Sequence, residues 1–324
     1  MSIKDDVLRR LMESDETLSG SALAQALGVS RNAVWKAIEQ LRGEGYRIEA
    51  ATNRGYRLAA GAERLTQVEI DRWRKPGDIG GAIEIYDELD STNIRAKELA
   101  MRDAPHGTAV IARQQYGGRG RFGRSFFSPE GSGVYISFVL RPELSADKAV
   151  MLTSMCAVAV ARAAERVAGG EIEASIKWVN DVYIGGRKIC GILCEAGLDF
   201  ESGQMQYVVA GIGVNVGPMD FPPELRDVAT SISNECGRSI ERSRFCAELI
   251  NEMNALYPQL ESGAFMAENR ARSNVIGREI YVLRGDERYP ATAVDIDDGG
   301  SLVIRTPEGE TQTLRSGEIS VRFR

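Results

Sequence analysis

The stretch Gln115 to Pro129, QYGGRGRFGRSFFSP, limits what this chain can fold into more than any other part of it. Gly118, Gly120 and Gly123 are interleaved with Arg119, Arg121 and Arg124, and no acid lies among them. Glycine admits backbone conformations and close ligand approach that a Cβ blocks. Arginine adds a permanent charge and forked donors that match carboxylate and phosphate. The run satisfies GxGxxG and comes within one residue of GxxxxGK[ST], with Arg124 in the lysine's place. Both of those sites need a helix directly after the glycines. Pro129, Gly131 and Gly133 follow instead, residues helices tolerate poorly, and then Val134 to Leu140 reads as a strand. The stretch therefore predicts a basic loop hung from a strand end, able to close over a small anion. Phe126 and Phe127 stand ready to cover a flat ring.

Composition narrows the class. The 324 residues allow two or three domains and a large core, and 43% apolar with 27% charged residues is ordinary for a soluble globular protein. A net charge of -6 argues against a protein that coats polyanions as a whole. The most apolar stretch, Ala149 to Ala161, ends at Arg162. It falls short of the roughly 20 residues a bilayer span needs, so it reads as part of a buried helix over 148–167. The opening MSIKDDVLRR has acids where a secretion signal is basic and then apolar. Five scattered cysteines without a CxxC pair suit reduced thiols, and cytoplasmic residence is the expectation. The single histidine, His106, lies in a His-Gly turn and reads as a turn residue, which leaves little room for His-based catalysis or a zinc site.

Residues 1–60 carry a separate pattern. Ile3 to Met12 reads as an amphipathic helix and Ser21 to Leu27 as a short second one, broken at Gly28. Ser30 is a good N-cap for a third helix with Val34, Ile38 and Leu41 inward. Within this helix–turn–helix, Ser21 to Gln40, the outward face carries Arg31, Asn32, Trp35 and Lys36, types that read phosphates and base edges. Strands at Tyr46 to Ala51 and Gly55 to Leu58, around Thr52-Asn53-Arg54-Gly55, complete a winged helix. Six basic residues against three glutamates over 31–57 favour DNA as the partner over a protein-contact module. So weak an excess predicts dimerisation for useful affinity. Ala59 to Ala62 reads as a linker, and Thr66 with Glu69 as a capping box for the next helix.

In the central region, strand Ile83 to Leu89 leads through Asp90-Ser91-Thr92-Asn93 into a helix, Ile94 to Arg102. Ser, Thr and Asn there cap the helix or present polar groups to a ligand, and the local sequence favours capping. Strand Thr108 to Gln114 ends at the basic loop. Gly185-Gly186 joins Val182-Tyr183-Ile184 to Arg187-Lys188-Ile189 as a two-residue hairpin turn. Lys188, a lysine in an apolar strand near glycines, is a candidate anion-binding or catalytic group, against the plainer reading of a solvated hairpin lysine. Tyr207 to Val216 is a further strand, in which Gly211 and Gly213 on one face suit a pocket floor and Asn215 a base edge or phosphate. A helix over Ser243 to Leu260, ended by Pro258, precedes five short strands: Glu279 to Leu283, Tyr289 to Ile296, Ser301 to Arg305, Gln312 to Leu314 and Ile319 to Arg322.

The order of these features carries more than any one of them. Basic loop, Lys177-Trp178-Val179-Asn180-Asp181, Arg187-Lys188-x-x-Gly191-Ile192-Leu193 and Gly211-Ile212-Gly213-x-Asn215 together resemble the bacterial biotin–protein ligase family. With the winged helix ahead of them they resemble its bifunctional form, ligase and biotin-operon repressor in one chain. The likeness runs to the final Gly317-Glu318-Ile319-Ser320. It implies an α+β protein in three parts: a winged helix–turn–helix over 1–60, a mixed-sheet catalytic domain over 66–270 resembling class II synthetases, and a small SH3-like β-barrel over 271–324. The barrel would help hold ATP or the acceptor, or serve as a structural cap.

The resemblance also implies roles. Ser91, Thr92, Asn93 and Gln115 would hydrogen-bond biotin's ureido ring, while Arg119, Gly120 and Arg121 would close over carboxylate and phosphate. Lys188, with Gly191 beside it, would meet the reacting carboxylate and α-phosphate, and Lys188 and Arg121 would be catalytic. Phe126, Lys177, Asn180, Asp181, Gly213 and Asn215 would serve the nucleotide or its metal. Phe126 stands where the family often has Trp, and Val179 where it has Pro. Substrates would be ATP and biotin with Mg²⁺, although no spacing motif names metal ligands. The partners implied are a biotin carboxyl carrier domain, operator DNA and, once ligand is bound, a second copy of the chain; no membrane is implied. Two alternatives stay open: a lipoate–protein ligase, and a ligand-sensing transcription factor without ligase activity.

Overall fold

A computed structural model of the chain describes residues 2–14, 16–51, 55–59, 64–142, 149–198, 205–284, 287–315 and 319–323. The expected wing tip at Thr52-Asn53-Arg54, most of the Ala59–Ala62 linker, a turn at Gly285-Asp286 and the pair Gly317-Glu318 lie outside them. The chain divides into two compact units, Met1–Trp73 and Arg74–Arg324.

In the first unit, local signals set the helix ends. Helix α1 spans Ile3–Met12, and Ser2 and Asp5 exchange hydrogen bonds at its start. Helix α2, Gly20–Leu27, stops at Gly28, whose φ of +64° suits a residue without a Cβ. Ser30 Oγ accepts from the Ala33 N–H at 3.1 Å and opens α3, Arg31–Gly43. Val7, Leu8, Leu11, Leu23, Val34, Ile38 and Leu41 form the core. Strands β1, Ile48–Ala51, and β2, Gly55–Leu58, pair antiparallel as the wing. Helix α4, Gln67–Asp71, starts at the expected capping box: buried Glu69 accepts from the backbone N–H groups of Thr66 and Arg64 at 2.8 and 3.0 Å. The Thr66 hydroxyl also meets the Tyr46 hydroxyl at 3.2 Å. These contacts place α4 in the first unit, although sequence reading starts the catalytic domain at residue 66.

A mixed seven-stranded sheet organises the second unit. Its strands are β3 (Ile83–Leu89), β4 (Ala109–Gln115), β5 (Gly133–Leu140), β6 (Ala174–Lys177), β7 (Asp181–Ile184), β8 (Arg187–Leu198) and β9 (Met205–Asn215), in the order β3-β4-β5-β9-β8-β7-β6. Only β3 and β4 run parallel, and α5, Thr92–Ala100, makes the crossover between them. Every residue of β5 is buried, as a strand covered on both faces requires. Gly185 and Gly186 turn the β7–β8 hairpin at φ of +57° and +79°. The apolar stretch near 150 is α6, Ala149–Val167, and among the described residues no helix is long and apolar enough to cross a membrane. Short α7 covers Ile232–Cys236, α8 covers Arg242–Leu256 and α9 covers Met266–Ala271. Pro258 sits in a 3₁₀ turn just past α8, so the helix ends earlier than Leu260.

The last five strands, β10 (Glu279–Arg284), β11 (Glu287–Ile296), β12 (Leu302–Arg305), β13 (Thr311–Leu314) and β14 (Ile319–Phe323), form an antiparallel sheet in the order β13-β12-β11-β10-β14. The expectation there is a closed barrel; the described pairings leave β13 and β14 at the two edges. The indole N–H of Trp178 donates to Gly300 O at 2.9 Å, tying this sheet to the turn between β6 and β7. The fold is α+β throughout.

Candidate active site

A cleft of about 170 Å³ opens where β3 and β4 end and β8 and β9 pass beneath the basic loop. Because β3 and β4 are parallel, their carboxyl ends lie side by side. One delivers Ser91, Thr92 and Asn93, the other Gln115 and the loop, so two stretches distant in sequence meet at one mouth. The glycine run leads into a single 3₁₀ turn, Arg121–Gly123, with Phe122 left-handed at φ +58°, and then into β5. No helix follows the glycines, which excludes both nucleotide-loop patterns by geometry. Gly120 N–H donates to Arg124 O at 2.7 Å and Phe126 N–H to Gly118 O at 2.9 Å, folding the loop back on itself.

One end of the cleft is polar and neutral. Ser91 is the N-cap residue of α5 and buried, yet its hydroxyl makes no capping bond. The capping expectation therefore fails there, and Ser91 lines the cleft. Gln115 Oε1 accepts from the Thr92 backbone N–H at 2.8 Å and lies 3.1 Å from the Thr92 hydroxyl. Gln115 Nε2 donates to Ser128 Oγ at 3.2 Å. Asn93 Nδ2 donates to Glu195 Oε2 and to Leu193 O at 2.8 and 3.2 Å, while its Oδ1 accepts from Ser137 Oγ at 2.6 Å.

The other end is cationic. Lys188 Nζ meets Asp181 Oδ1 at 2.6 Å, and the lysine is about 30% exposed. Lys188 is thus paired at the cleft rather than free in solvent. Burial lowers the Arg121 pKa from its ordinary value; nearby Asp181 works the other way and Arg124 adds to the lowering. Arg119 Nη2 reaches Asp90 Oδ2 at 3.4 Å and stays largely exposed. Lys177, Asn180, Gly191 and Gly213 also line the cleft. Phe126 lines the cleft on the Lys188 side, over Gly191 and Gly213. A Cβ on Gly213 would come within 2.6 Å of its ring and one on Gly191 within 3.3 Å, so glycine there lets the phenyl ring lie flat on the strands. The Trp178–Val179 peptide is cis.

Of the expected site residues, Asn215 alone does not line the cleft. Its Nδ2 donates to Thr230 O at 3.0 Å, and its buried Oδ1 has no hydrogen-bond partner among the described residues. His106 lies elsewhere too, accepting the Arg141 N–H at Nδ1 (3.1 Å) and packing on Tyr257. Sequence reading missed Ser137 and Glu195. Both left a signal: Ser137 is a lone serine in an apolar strand, and Glu195 an acid following Gly191-Ile192-Leu193-Cys194. Among the described residues no group of three His, Cys, Asp or Glu side chains is placed to hold a metal. Among the described residues Asp181 is the only carboxylate lining the cleft, a donor set that fits a cation carried on substrate phosphates rather than caged by protein. In the first unit, Arg31, Asn32, Trp35 and Lys36 all stand exposed on α3, with Trp35 52% accessible.

Comparison with known proteins agrees with this geometry. Residues 86–215 match the biotin/lipoate A/B protein ligase family, residues 4–57 an HTH domain, and residues 275–322 the biotin protein ligase C terminal domain. The bifunctional ligase/repressor BirA of Bacillus subtilis is 38% identical over 95% of both chains, and that of Escherichia coli 29% over 96% of this chain and 95% of its own. The biotin protein ligase from Aquifex aeolicus, solved in complex with biotin and ATP, superposes with a TM-score of 0.66 at 29% identity, covering 75% of this chain and all of that one. With likeness on this scale across both units, the chain belongs to the biotin/lipoate A/B protein ligase family, among its members that carry an N-terminal HTH domain.

Proposed function

We propose that the protein is an ATP-dependent biotin–protein ligase that also represses transcription. The observation that carries this reading is the two-ended cleft. A neutral end of Ser91, Thr92, Asn93 and Gln115 suits a ureido ring, and a cationic end of Arg119, Arg121 and Lys188 suits a carboxylate meeting a phosphate. An oxygen of biotin's carboxylate attacks the α-phosphorus of ATP, the bond to the bridging oxygen breaks, and pyrophosphate leaves. The product is biotinyl-5′-AMP. Lys188 and Arg121 stabilise negative charge as it develops, and positioning does much of the rest. Phe126 covers the adenine, Lys177 and Asn180 meet the phosphates and ribose, and Asp181 would hold Mg²⁺ against them. Asn215 contributes after rotating out of its contact with Thr230. Mg²⁺, when bound, neutralises phosphate charge.

In the second half-reaction, the amine of a lysine on a biotin carboxyl carrier domain attacks the acyl carbon of the mixed anhydride. An amide forms, AMP leaves, and the amine proton passes to solvent. Closure of Arg119-Gly120-Arg121 shields the anhydride from water until then. The winged helix, with Arg31, Asn32, Trp35 and Lys36 in the groove, binds operator DNA as a homodimer that forms on adenylate binding. A three-part division, with α4 counted in the first part and the last part beginning after residue 270, and a cytoplasmic location belong to this reading.

Pyrophosphate release without acceptor tests it. With ATP, Mg²⁺ and biotin, a burst of about one equivalent is expected, because the adenylate stays bound. Release with lipoate alone would move the assignment to lipoylation. Tight biotin binding with no release would leave a ligand-sensing transcription factor.

A further inference from the structure

Asn93 is 5% exposed, and its amide is bonded almost to capacity. Both hydrogens of Nδ2 are used, one toward Glu195 Oε2 at 2.8 Å and one toward Leu193 O at 3.2 Å. A carboxylate and a carbonyl only accept, so the nitrogen must face β8 and the oxygen must face Ser137. One lone pair on Oδ1 is all that remains. Gln115 has the opposite remainder. Its Oε1 faces Thr92, accepting the backbone N–H at 2.8 Å with the hydroxyl 3.1 Å away, and one Nε2 hydrogen goes to Ser128, which leaves one N–H. These two amides therefore offer the cleft one acceptor and one donor. A cyclic urea presents N–H beside C=O and is the complement of that pair. A dithiolane ring offers neither.

We infer that Glu195 and Ser137 are the positioning pair that fixes Asn93 as an acceptor, and so select a ligand ring carrying an N–H next to a carbonyl. Glu195 is in turn gripped by Lys97, whose Nζ meets Oε1 at 2.5 Å. Lys97 and Glu195 are each about one-third exposed, so the ion pair itself contributes little; its effect is to hold the second oxygen, Oε2, under Asn93. Ser137 is wholly buried and its single proton serves Asn93 Oδ1, since that contact is shorter than the 2.8 Å to Thr92 Oγ1. Without Glu195 the amide is free to turn over and present N–H groups toward the N–H of the ring. This inference rests on the ligase reading and names what sets its substrate class.

The test is calorimetric titration of the full-length protein with biotin, alongside the KM for ATP in adenylate formation. Glu195→Ala is expected to weaken biotin about 10- to 100-fold, the loss of one half-buried, charge-assisted hydrogen bond to the buried Asn93 amide. The KM for ATP should stay within about 3-fold. Glu195→Gln keeps a carbonyl oxygen beneath Asn93 and should restore biotin affinity to within about 3-fold of wild type. Lys97→Met, which leaves the interior untouched, should cost biotin affinity alone, by about 3- to 10-fold, and gives the answer if Glu195→Ala does not fold. Wild-type biotin affinity in Glu195→Ala or Lys97→Met overturns the proposal. So does equal weakening of biotin and ATP, or a Gln variant as damaged as the Ala variant. A wild-type protein that does not bind biotin removes the ligase reading and this proposal together; wild-type binding with unaffected variants removes this proposal alone.

Discussion

Gly211 and Gly213 stand two residues apart on β9 and face the cleft together, yet a methyl group added at each strikes a different end of it. At 211 the new Cβ would lie 1.8 Å from Asn93 Oδ1 and 2.6 Å from Cγ. At 213 it would lie 2.6 Å from Cε1 of Phe126 and 3.0 Å from two more ring atoms. In Gly211→Ala the Asn93 amide must leave its place, and it loses two neutral hydrogen bonds worth about 0.5–1.5 kcal/mol each and one to a carboxylate worth about 1.5–3. Some return as the amide finds new partners, so a stability loss of about 2–3 kcal/mol is expected, with biotin affinity down at least about 30-fold. In Gly213→Ala only the far end of a phenyl ring has to slide. Stability should hold within about 1 kcal/mol, and the KM for ATP should rise about 5- to 10-fold as part of a stacking contact of about 1–3 kcal/mol is lost. Urea unfolding, biotin calorimetry and pyrophosphate release read the three quantities separately. The reasoning fails if Gly211→Ala is as stable as wild type and binds biotin normally, or if both variants weaken the same ligand.

Four further outcomes are expected. Lys188→Ala should lower adenylate formation about 10²- to 10³-fold, as loss of a charge-stabilising donor does, with biotin binding changed far less; wild-type pyrophosphate yield would exclude a catalytic lysine. Arg121→Gly should release the adenylate prematurely, seen as radiolabelled product no longer retained with protein on a spin column. Burial lowers the pKa of His106 below its ordinary 6.5, so the unfolded chain takes up its proton first as pH falls. Its contribution is full above about pH 6.5 and declines as pH drops toward the folded-state pKa. His106→Gln should flatten that acid-side fall in urea titrations; an unchanged slope counts against it. Arg31→Ala should weaken operator binding about 5- to 150-fold without touching adenylate formation; unchanged gel shifts would move DNA contact off α3.

Much of this fold is legible because its signals are local. Ser30 and Gly28 bound their helices through bonds and dihedrals within a few residues, the Gly185-Gly186 turn needs two left-handed positions side by side, and the strand read over Ile83 to Leu89 is β3 to the residue. The cleft is legible as a list of residues, because family motifs preserve their order. What the list hides is pairing. The Gly185-Gly186 hairpin says that β7 runs antiparallel beside Lys188, but not that an irregular register between Val182 and Tyr183 brings Asp181 to 2.6 Å. Ser91 looks like a cap because serine before a helix usually is one; only the tertiary fold sets it at the cleft. Asn215 follows a glycine-rich motif into the site by sequence and turns to Thr230 by packing. The allegiance of α4 depends on Tyr46, some 20 residues upstream.

The lone parallel pair in the main sheet has a consequence for how such an enzyme could be altered. Every hydrogen bond that aligns Ile83 with Ala109 and Leu89 with Gln115 also fixes how far the ring-reading segment stands from the root of the basic loop. A slip of one residue would turn the slipped strand's side chains to the wrong face. Neither segment can therefore drift without the other, and the distance between them acts as a built-in ruler for the length of the acid that bridges the two ends. Re-engineering for a longer or shorter acid should leave the two strands alone and change the glycine-rich span beyond Gln115.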